Sequence, residues 1–176
     1  MEKNTVSFQV NDLIIYGGSG VCVVKDIREL AIDGAAAAKK YYVLEPVYQR
    51  GDVIYSPVEN QKTVMRKILT KKETEELIRQ IPTIETAWID DKKIRAEQCK
   101  KALSTYNCYE LLRIIKAMYL RKESLCGQKK AISKIDDNYF RLAEDLLYGE
   151  LAIPLGIPKE QVVDYIAAHV EHTANG

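Results

Sequence analysis

The spacing of the apolar residues changes near residue 70. Before that point, short runs rich in Val, Ile and Tyr alternate with turn residues, a pattern that predicts β-strands. Five such runs are present, at residues 13–16, 21–30, 40–47, 53–58 and 63–68, with turns at 17–20, 33–34, 49–52 and 59–61. A meander of five short strands usually closes into a small barrel, because closure limits exposed edges.

After residue 70 the apolar residues recur every three or four positions, which predicts helices. Capping pairs mark three helix starts: Thr70 with Glu73, Asn107 with Glu110, and Ser133 with Asp136. A fourth helix is predicted over 90–103. A fifth follows Gly156, with Pro158 in its first turn.

These patterns predict an α+β protein of two modules. Residues 1–69 form an all-β module, a small five-stranded barrel, and residues 70–176 form an all-α module, a helical bundle. With 176 residues, of which 47% are hydrophobic, the chain can bury a substantial core.

The formal net charge of the whole chain is only +1, but two adjacent segments carry opposite net charges. Residues 88–134 hold 12 Lys and Arg against 5 Asp and Glu, whereas residues 135–176 hold 2 against 8. The basic stretch opens with Trp88, the single tryptophan of the chain. An aromatic ring beside a cationic helix suits a phosphate-bearing partner. A core tryptophan beside a solvated helix face explains the same residues, and the acidic segment can mask the basic one.

Other classes of function find no support in the sequence. No apolar run is long enough to cross a bilayer and no signal-type segment leads the chain, so we expect a cytoplasmic protein. The cysteines at positions 22, 99, 108 and 126 form no Cys-x-x-Cys pair, and His169 and His172 lack a carboxylate partner. We therefore expect no metal, disulfide or cofactor.

Catalysis is also not expected. The chain has no histidine in the body of either module and no Gly-x-Ser-x-Gly motif to supply a base or nucleophile. Residues 17–20 superficially match a phosphate loop, but they lack its Gly-Lys-Ser/Thr ending and lead into a strand. A hairpin turn explains them better.

The ordered set of motifs resembles the CarD/CdnL transcription regulators, whose N-terminal module is shared with the polymerase-interacting domain of the transcription-repair coupling factor. The motifs are Phe8-Gln9-Val10-Asn11-Asp12-Leu13-Ile14-Ile15-Tyr16, Gly20-Val21, Tyr41-Tyr42-Val43-Leu44, Ile54-Tyr55-Ser56-Pro57-Val58-Glu59-Asn60, the segment 87–95 around Trp88, and the segment 143–152. Together they span nearly the whole chain in order.

The resemblance implies a Tudor-like barrel that binds the β subunit of bacterial RNA polymerase. It also implies a helical domain that contacts promoter DNA at the upstream edge of the transcription bubble. This contact would be made through the minor groove and would be largely independent of the base sequence. Trp88 would act as a wedge, with its indole pressed into the minor groove where the strands have parted. Such a factor would stabilise the open promoter complex. The residues expected to contact DNA phosphates are Lys92, Lys93, Arg95 and Lys100.

By motif position, the strand expected to pair with polymerase is Val53-Ile54-Tyr55-Ser56. The chain departs from the family pattern at Tyr55, where relatives carry arginine, and at Asp90-Asp91, where they carry a basic pair. We expect a monomer without a small-molecule substrate. The alternative is a protein-interaction adaptor that does not bind DNA, with Trp88 buried and the basic helix facing an acidic partner.

Overall fold

The computed structural model describes residues 7–31, 37–59, 62–128 and 130–174, with only the backbone for 171–174. The chain divides into two compact units, Met1–Ile68 and Leu69–Gly176, which we call the sheet unit and the helical unit. The predicted turn at 33–34, part of the turn at 59–61 and the side chain of His172 lie outside the described residues.

The sheet unit contains the five predicted strands. They are β1 (Leu13–Tyr16), β2 (Val21–Leu30), β3 (Lys39–Pro46), β4 (Ile54–Pro57) and β5 (Met65–Lys67). All neighbouring pairs are antiparallel, and the order across the sheet is β4-β3-β2-β1-β5. The α+β class and the five-stranded sheet are therefore confirmed.

Closure of this sheet into a barrel is not confirmed. Among the described residues β4 pairs only with β3 and β5 only with β1, so the hydrogen-bonded ladder is open. The two edge strands nevertheless meet through side chains, because the Ser56 hydroxyl lies 3.8 Å from the Met65 sulfur. The sheet is thus curved enough to bring its edges together without backbone pairing.

One face of the curved sheet carries the core of the sheet unit. Its buried residues are Phe8, Ile14, Cys22, Val24, Tyr42 and Leu44. The Phe8 and Tyr42 rings meet edge to face with centroids 5.7 Å apart, and the Phe8 amide donates to the Tyr42 hydroxyl at 3.2 Å. This second contact supplies a partner for a polar group that would otherwise be costly to bury.

The helical unit contains five helices. They are α1 (Lys71–Gln80), α2 (Lys92–Thr105), α3 (Cys108–Cys126), α4 (Lys134–Leu155) and α5 (Val162–Ala174). Thr70 and Glu73 form a complete capping box at the start of α1. Asn107 caps α3 and Ser133 caps α4, so the three predicted caps are confirmed.

The other two helix starts differ slightly from the prediction. The N-cap of α2 is Asp91, whose Oδ1 accepts from the amides of Lys93 and Ile94 at 2.9 Å each. Pro158 precedes the short 3-10 turn before α5 and does not lie in a first helical turn. Gly156 ends α4 in the left-handed conformation, with φ of 67°, which is favourable for glycine.

Helices α2 to α5 contribute buried residues to one core, and Leu77 of α1 is partly buried against it. Its central members include Leu103 of α2, Met118 of α3, Leu147 of α4 and Val162 of α5. Among the described residues, no helix combines the length and apolar character needed to span a membrane.

Candidate functional site

Trp88 lies in the extended segment that precedes α2, and its side chain is partly buried. The indole packs against the core of the helical unit, and part of it remains accessible. Two guanidinium groups lie over the ring: Arg95 Cζ is 4.3 Å and Arg121 Cζ is 5.0 Å from its centroid. Such cation–π contacts restrain the indole and keep positive charge next to it.

Arg95 does not fit its predicted role as a phosphate contact. Its side chain is buried, with 6% of the residue exposed. Nε donates to Asp136 Oδ1 at 2.9 Å and Nη2 donates to Asp136 Oδ2 at 2.8 Å. Nη1 donates to the backbone carbonyls of Ile89 and Asp90. The guanidinium is therefore satisfied inside the helical unit, and we remove Arg95 from the DNA-contacting residues.

Asp136 has a role that the sequence does not predict. The sequence places it at the start of α4, where its amide donates to the Ser133 hydroxyl at 3.2 Å. Its carboxylate also accepts from the Ser133 hydroxyl at 2.7 Å, and the residue is 3% exposed. The hydrogen bonds from Arg95 hold the pKa of Asp136 below its usual value. A cap was the only local signal, because Arg95 lies 41 residues away along the chain.

The Arg95–Asp136 pair connects α4 to the segment that carries Trp88. Asp136 orients the guanidinium, which lies over the indole and also binds the carbonyls of the two residues that follow Trp88. A bidentate pair fixes both distance and angle. Asp136, in the acidic segment 135–176, therefore restrains the indole through Arg95.

The lysines of α2 face solvent. Lys92, Lys93, Lys100 and Lys101 are all exposed. Helical periodicity places Lys93 and Lys100 on the face opposite the buried Arg95 and Cys99. None of these four lysines forms an ion pair with any residue that the structure describes. They are therefore available to a polyanion.

The cations of α3 have mostly structural roles. Lys116 Nζ donates to the carbonyls of Ile81, Pro82 and Ile84 at 2.7–3.0 Å. Lys122 bonds Asp137 at 2.9 Å and lies over the Phe140 ring. The Lys122–Asp137 and Arg95–Asp136 pairs show that the acidic segment neutralises part of the basic one.

In the sheet unit, β4 is an edge strand and its side chains alternate. Val53, just before the strand, is 53% exposed and Tyr55 is 48% exposed. Ile54 packs against the core and Ser56 is fully buried. Of the four residues predicted to contact polymerase, only Val53 and Tyr55 therefore present their side chains.

The backbone hydrogen-bonding groups of β4 also alternate in direction, toward β3 at one residue and away from it at the next. Val58 donates its amide to the Lys40 carbonyl at 2.9 Å, and the register continues this pattern at Ser56 and Ile54. In an antiparallel ladder the intervening residue directs its amide and carbonyl away from the partner strand. The amide and carbonyl of Tyr55 are accordingly free to pair with an added strand.

A cation missed at the sequence level lies on β2. Arg28 of β2 is exposed and pairs with Asp26 at 2.5 Å. The register places Arg28 opposite Tyr41 of β3, which in turn lies opposite Pro57 of β4, so this cation lies two strands from the β4 edge. Among the described residues, no cluster of three or more His, Cys, Asp or Glu side chains is placed to hold a metal ion.

The sheet unit matches a known domain. The family model for the CarD-like/TRCF RID domain matches residues 8–69. The sheet unit is therefore similar in sequence to this domain. Domains of this kind interact with RNA polymerase, and the match includes β1 to β5 in full. No curated protein matches the chain.

Proposed function

We propose that this chain is a non-enzymatic regulator of transcription initiation that binds the β subunit of bacterial RNA polymerase and stabilises the open promoter complex. The observation that carries the proposal is the match to the RID domain at residues 8–69, in one chain with a helical unit that has a partly exposed tryptophan and exposed lysines. A protein with this role acts in the cytoplasm.

The polymerase contact is proposed at the free edge of a Tudor-like barrel. The Tyr55 amide and carbonyl pair with a strand of the β subunit, and the side chains of Val53 and Tyr55 provide selectivity. This proposal is supported by the edge position of β4 and by the exposure of these two side chains. Ile54 and Ser56 contribute to the polymerase contact indirectly, because their inward-facing side chains hold β4 in place.

The DNA contact is proposed on the helical unit. Trp88 presses into the minor groove at the upstream edge of the bubble, where the strands have parted. Lys92, Lys93 and Lys100 bind phosphates, an interaction that is largely independent of sequence and weakens with salt. The exposure of these lysines supports this assignment.

The two contacts act together. Binding to polymerase holds the helical unit at a high effective concentration over the promoter, so weak DNA contacts are sufficient. Only a difference in affinity between open and closed DNA changes the equilibrium. A preference of about 1.4 kcal/mol for the open complex changes the ratio of the two states roughly tenfold.

A second candidate is supported by the packing of Trp88. The indole contacts the core and lies beneath the guanidinium groups of Arg95 and Arg121, which limits the surface it presents. In this alternative the chain is an adaptor without DNA binding. The RID domain binds polymerase, and Lys93, Lys100 and their neighbours on α2 bind an acidic protein.

The test is a pull-down with purified polymerase core, followed by open-complex lifetimes at two salt concentrations. We expect Trp88→Ala to bind polymerase normally and to shorten the lifetime relative to the native protein. Tyr109→Ala is the matched control, because Tyr109 is an exposed aromatic residue of α3 at 41% exposure. If Trp88→Ala leaves the lifetime at the native value, the wedge is refuted. Polymerase binding without any lifetime effect of the native protein supports the adaptor.

A further inference from the structure

A groove runs between α2 and α4 of the helical unit, on the side away from α3. One flank of α2 faces α3, because Gln98 and Ala102 line a small cavity together with residues of α3. Lys100 and Gln98 are the sequence neighbours of the buried Cys99, so they lie about 100° to either side of it around the helix. Lys100, and Lys93 about two turns before it, therefore lie on the flank of α2 that faces away from α3.

An apolar stripe of α4 lies on the same side. Asp137 bonds a lysine of α3 at 2.9 Å, so its flank of α4 faces α3. Ile135 and Asp137 lie about 100° to either side of the buried Asp136, which places Ile135 on the other flank. Tyr139 and Leu142 follow Ile135 at spacings of four and seven residues, so they continue this stripe along α4.

The helices α2, α3 and α4 alternate in direction. Cys108, the first residue of α3, bonds Glu150 in the second half of α4. Lys122, near the end of α3, bonds Asp137 near the start of α4. The helices α3 and α4 are therefore antiparallel. Only two residues join α2 to α3, which makes these two helices antiparallel as well, so α2 and α4 are parallel.

The parallel direction brings the two flanks level with each other. Arg95 of α2 binds a residue of α4 that lies 41 positions further along the chain. The same offset places Lys93 within one residue of the level of Ile135. It also places Lys100 within one residue of the level of Leu142. We call the space between these flanks the α2–α4 groove, with Lys93 and Lys100 on one wall and Ile135, Tyr139 and Leu142 on the other.

The α4 wall of the groove is apolar and open to solvent. Ile135 is 61% and Leu142 is 46% exposed, whereas Tyr139 packs partly against the core. Apolar residues at positions i, i+4 and i+7 form the kind of surface on which an amphipathic helix docks. Exposed apolar side chains that are grouped in this way mark interaction sites, whereas scattered single ones do not.

The α2 wall of the groove is cationic. Lys93 and Lys100 are exposed and form no ion pair with any residue in the described part of the chain. Glu97 is exposed between them in sequence, but helical periodicity places it further toward solvent. The wall therefore presents two positive charges beside an apolar surface, and these charges attract anionic groups of a partner.

The combination of the two walls favours a protein helix over nucleic acid. A DNA backbone carries one charge per phosphate, so it would pair with the lysines but leave the apolar wall exposed to water. An amphipathic helix with acidic side chains along one edge satisfies both walls. Its apolar face covers the α4 wall while its carboxylates pair with Lys93 and Lys100.

We propose that the α2–α4 groove binds an acidic amphipathic helix of a partner protein. Because Lys93 and Lys100 are also proposed to bind DNA phosphates, the bound helix competes with promoter DNA and weakens the action of the chain on the open complex. This competition rests on the proposed function, whereas binding of the helix does not. The groove is thus a point at which a partner regulates the DNA contact.

The first experiment measures the binding of three labelled peptides to the full chain by fluorescence anisotropy. The acidic peptide has about fourteen residues, or four helical turns, with Leu at every third or fourth position and Glu along one edge. One control replaces every Glu by Lys, and the other keeps the composition but scatters the Leu around the helix. We expect the acidic peptide to bind on the order of tenfold more tightly than either control. Equal affinity of the acidic peptide and either control would overturn the proposal.

The second experiment changes each wall of the groove. Leu142→Gln should weaken the binding of the acidic peptide on the order of tenfold, because an apolar contact is lost. Leu120→Gln is the matched control, since Leu120 is 48% exposed on α3, outside the groove. Lys100→Gln should weaken the binding about two- to fivefold, and Lys101→Gln at the adjacent exposed position should not. Native affinity in both groove variants would contradict the proposal.

Further measurements separate the classes of partner and the two proposals. If Leu142→Gln weakens the binding of promoter DNA as much as that of the peptide, the groove belongs to DNA and the proposal is overturned. If the native protein lengthens the open-complex lifetime but does not prefer the acidic peptide, this inference fails and the proposed function stands. If the acidic peptide binds and the native protein has no lifetime effect, the proposed function fails and the groove assignment stands. When both effects are present, saturating acidic peptide should shorten the lifetime, and an unchanged lifetime would refute the competition.

Discussion

The substitution Asp136→Asn should destabilise the helical unit and release Trp88. Asp136 and Arg95 are 3% and 6% exposed, so their charges are almost fully removed from water. Asparagine keeps the size of the side chain but loses the negative charge, which leaves a buried guanidinium without a counter-ion. The carbonyls of Ile89 and Asp90 and the indole of Trp88 remain as its partners, and none of them carries a negative charge.

The expected loss is large relative to the stability of a domain. Removing one partner of a buried ion pair typically costs about 3–5 kcal/mol, whereas whole domains are stable by roughly 5–15 kcal/mol. Urea or guanidinium unfolding, followed by circular dichroism, measures this loss. The fluorescence of Trp88 should shift to longer wavelength and become more accessible to iodide, because Arg95 no longer holds the indole.

Asp137→Asn is the matched control. It is the next residue of α4, but its partners Lys122 and Arg141 are more exposed, so the expected loss is below about 1 kcal/mol. A double variant that replaces Arg95 and Asp136 by Met and Leu should be less destabilised than Asp136→Asn, since no uncompensated charge remains. Equal losses for Asp136→Asn and Asp137→Asn would refute the argument.

The pair also predicts how stability depends on pH. The pKa of Asp136 is lower in the folded chain than its ordinary value of 3.8, because Arg95 stabilises the carboxylate. The folded state therefore binds fewer protons than the unfolded state in this range. The contribution of Asp136 is fully present above about pH 4 and is lost as the pH falls through the lower, folded pKa. In Asp136→Asn this part of the acid sensitivity should be absent.

Four further outcomes are expected. Lys116→Met should lower the free energy of unfolding by about 1.5–3 kcal/mol in a denaturant titration, because three carbonyls lose a charged donor; a change within error would show that those bonds add nothing. Replacing Lys93 and Lys100 by Ala should reduce the slope of log affinity for promoter DNA against log salt by roughly 2 without changing the melting temperature. An unchanged slope would exclude them as phosphate contacts. Tyr55→Ala should weaken polymerase binding in a pull-down and leave the fold intact, whereas native binding would argue against the β4 edge. Under native conditions Cys126 should react with a thiol reagent much faster than the three buried cysteines, and equal rates for all four would contradict their burial.

Most of the secondary structure could be predicted from local sequence. The strands β1 and β2 match their predicted bounds, because alternation of apolar residues and nearby turn residues act within a few positions. The caps at Thr70, Asn107 and Ser133 were equally readable, since each is a contact between residues three apart or fewer.

The candidate site was predictable only in part. The sequence indicated that Trp88 opens a basic stretch and that Lys93 and Lys100 lie on one helix, and both features follow from order along the chain. The sequence also made Arg95 look like one more cation of that stretch. Its burial depends on which face of α2 meets α4, and helical periodicity alone does not determine the partner of a face.

Local sequence therefore determines where the helices and strands form. Long-range packing determines which charged side chains are buried in pairs and which remain exposed. Asp136 carries the same capping signal whether or not an arginine 41 residues away reaches it. The same holds for β4: its alternation was visible in sequence, but the register with β3 was needed to show that Tyr55 faces outward and Ser56 inward. A shift of one residue reverses the two faces of a strand, and only the paired strand fixes that choice.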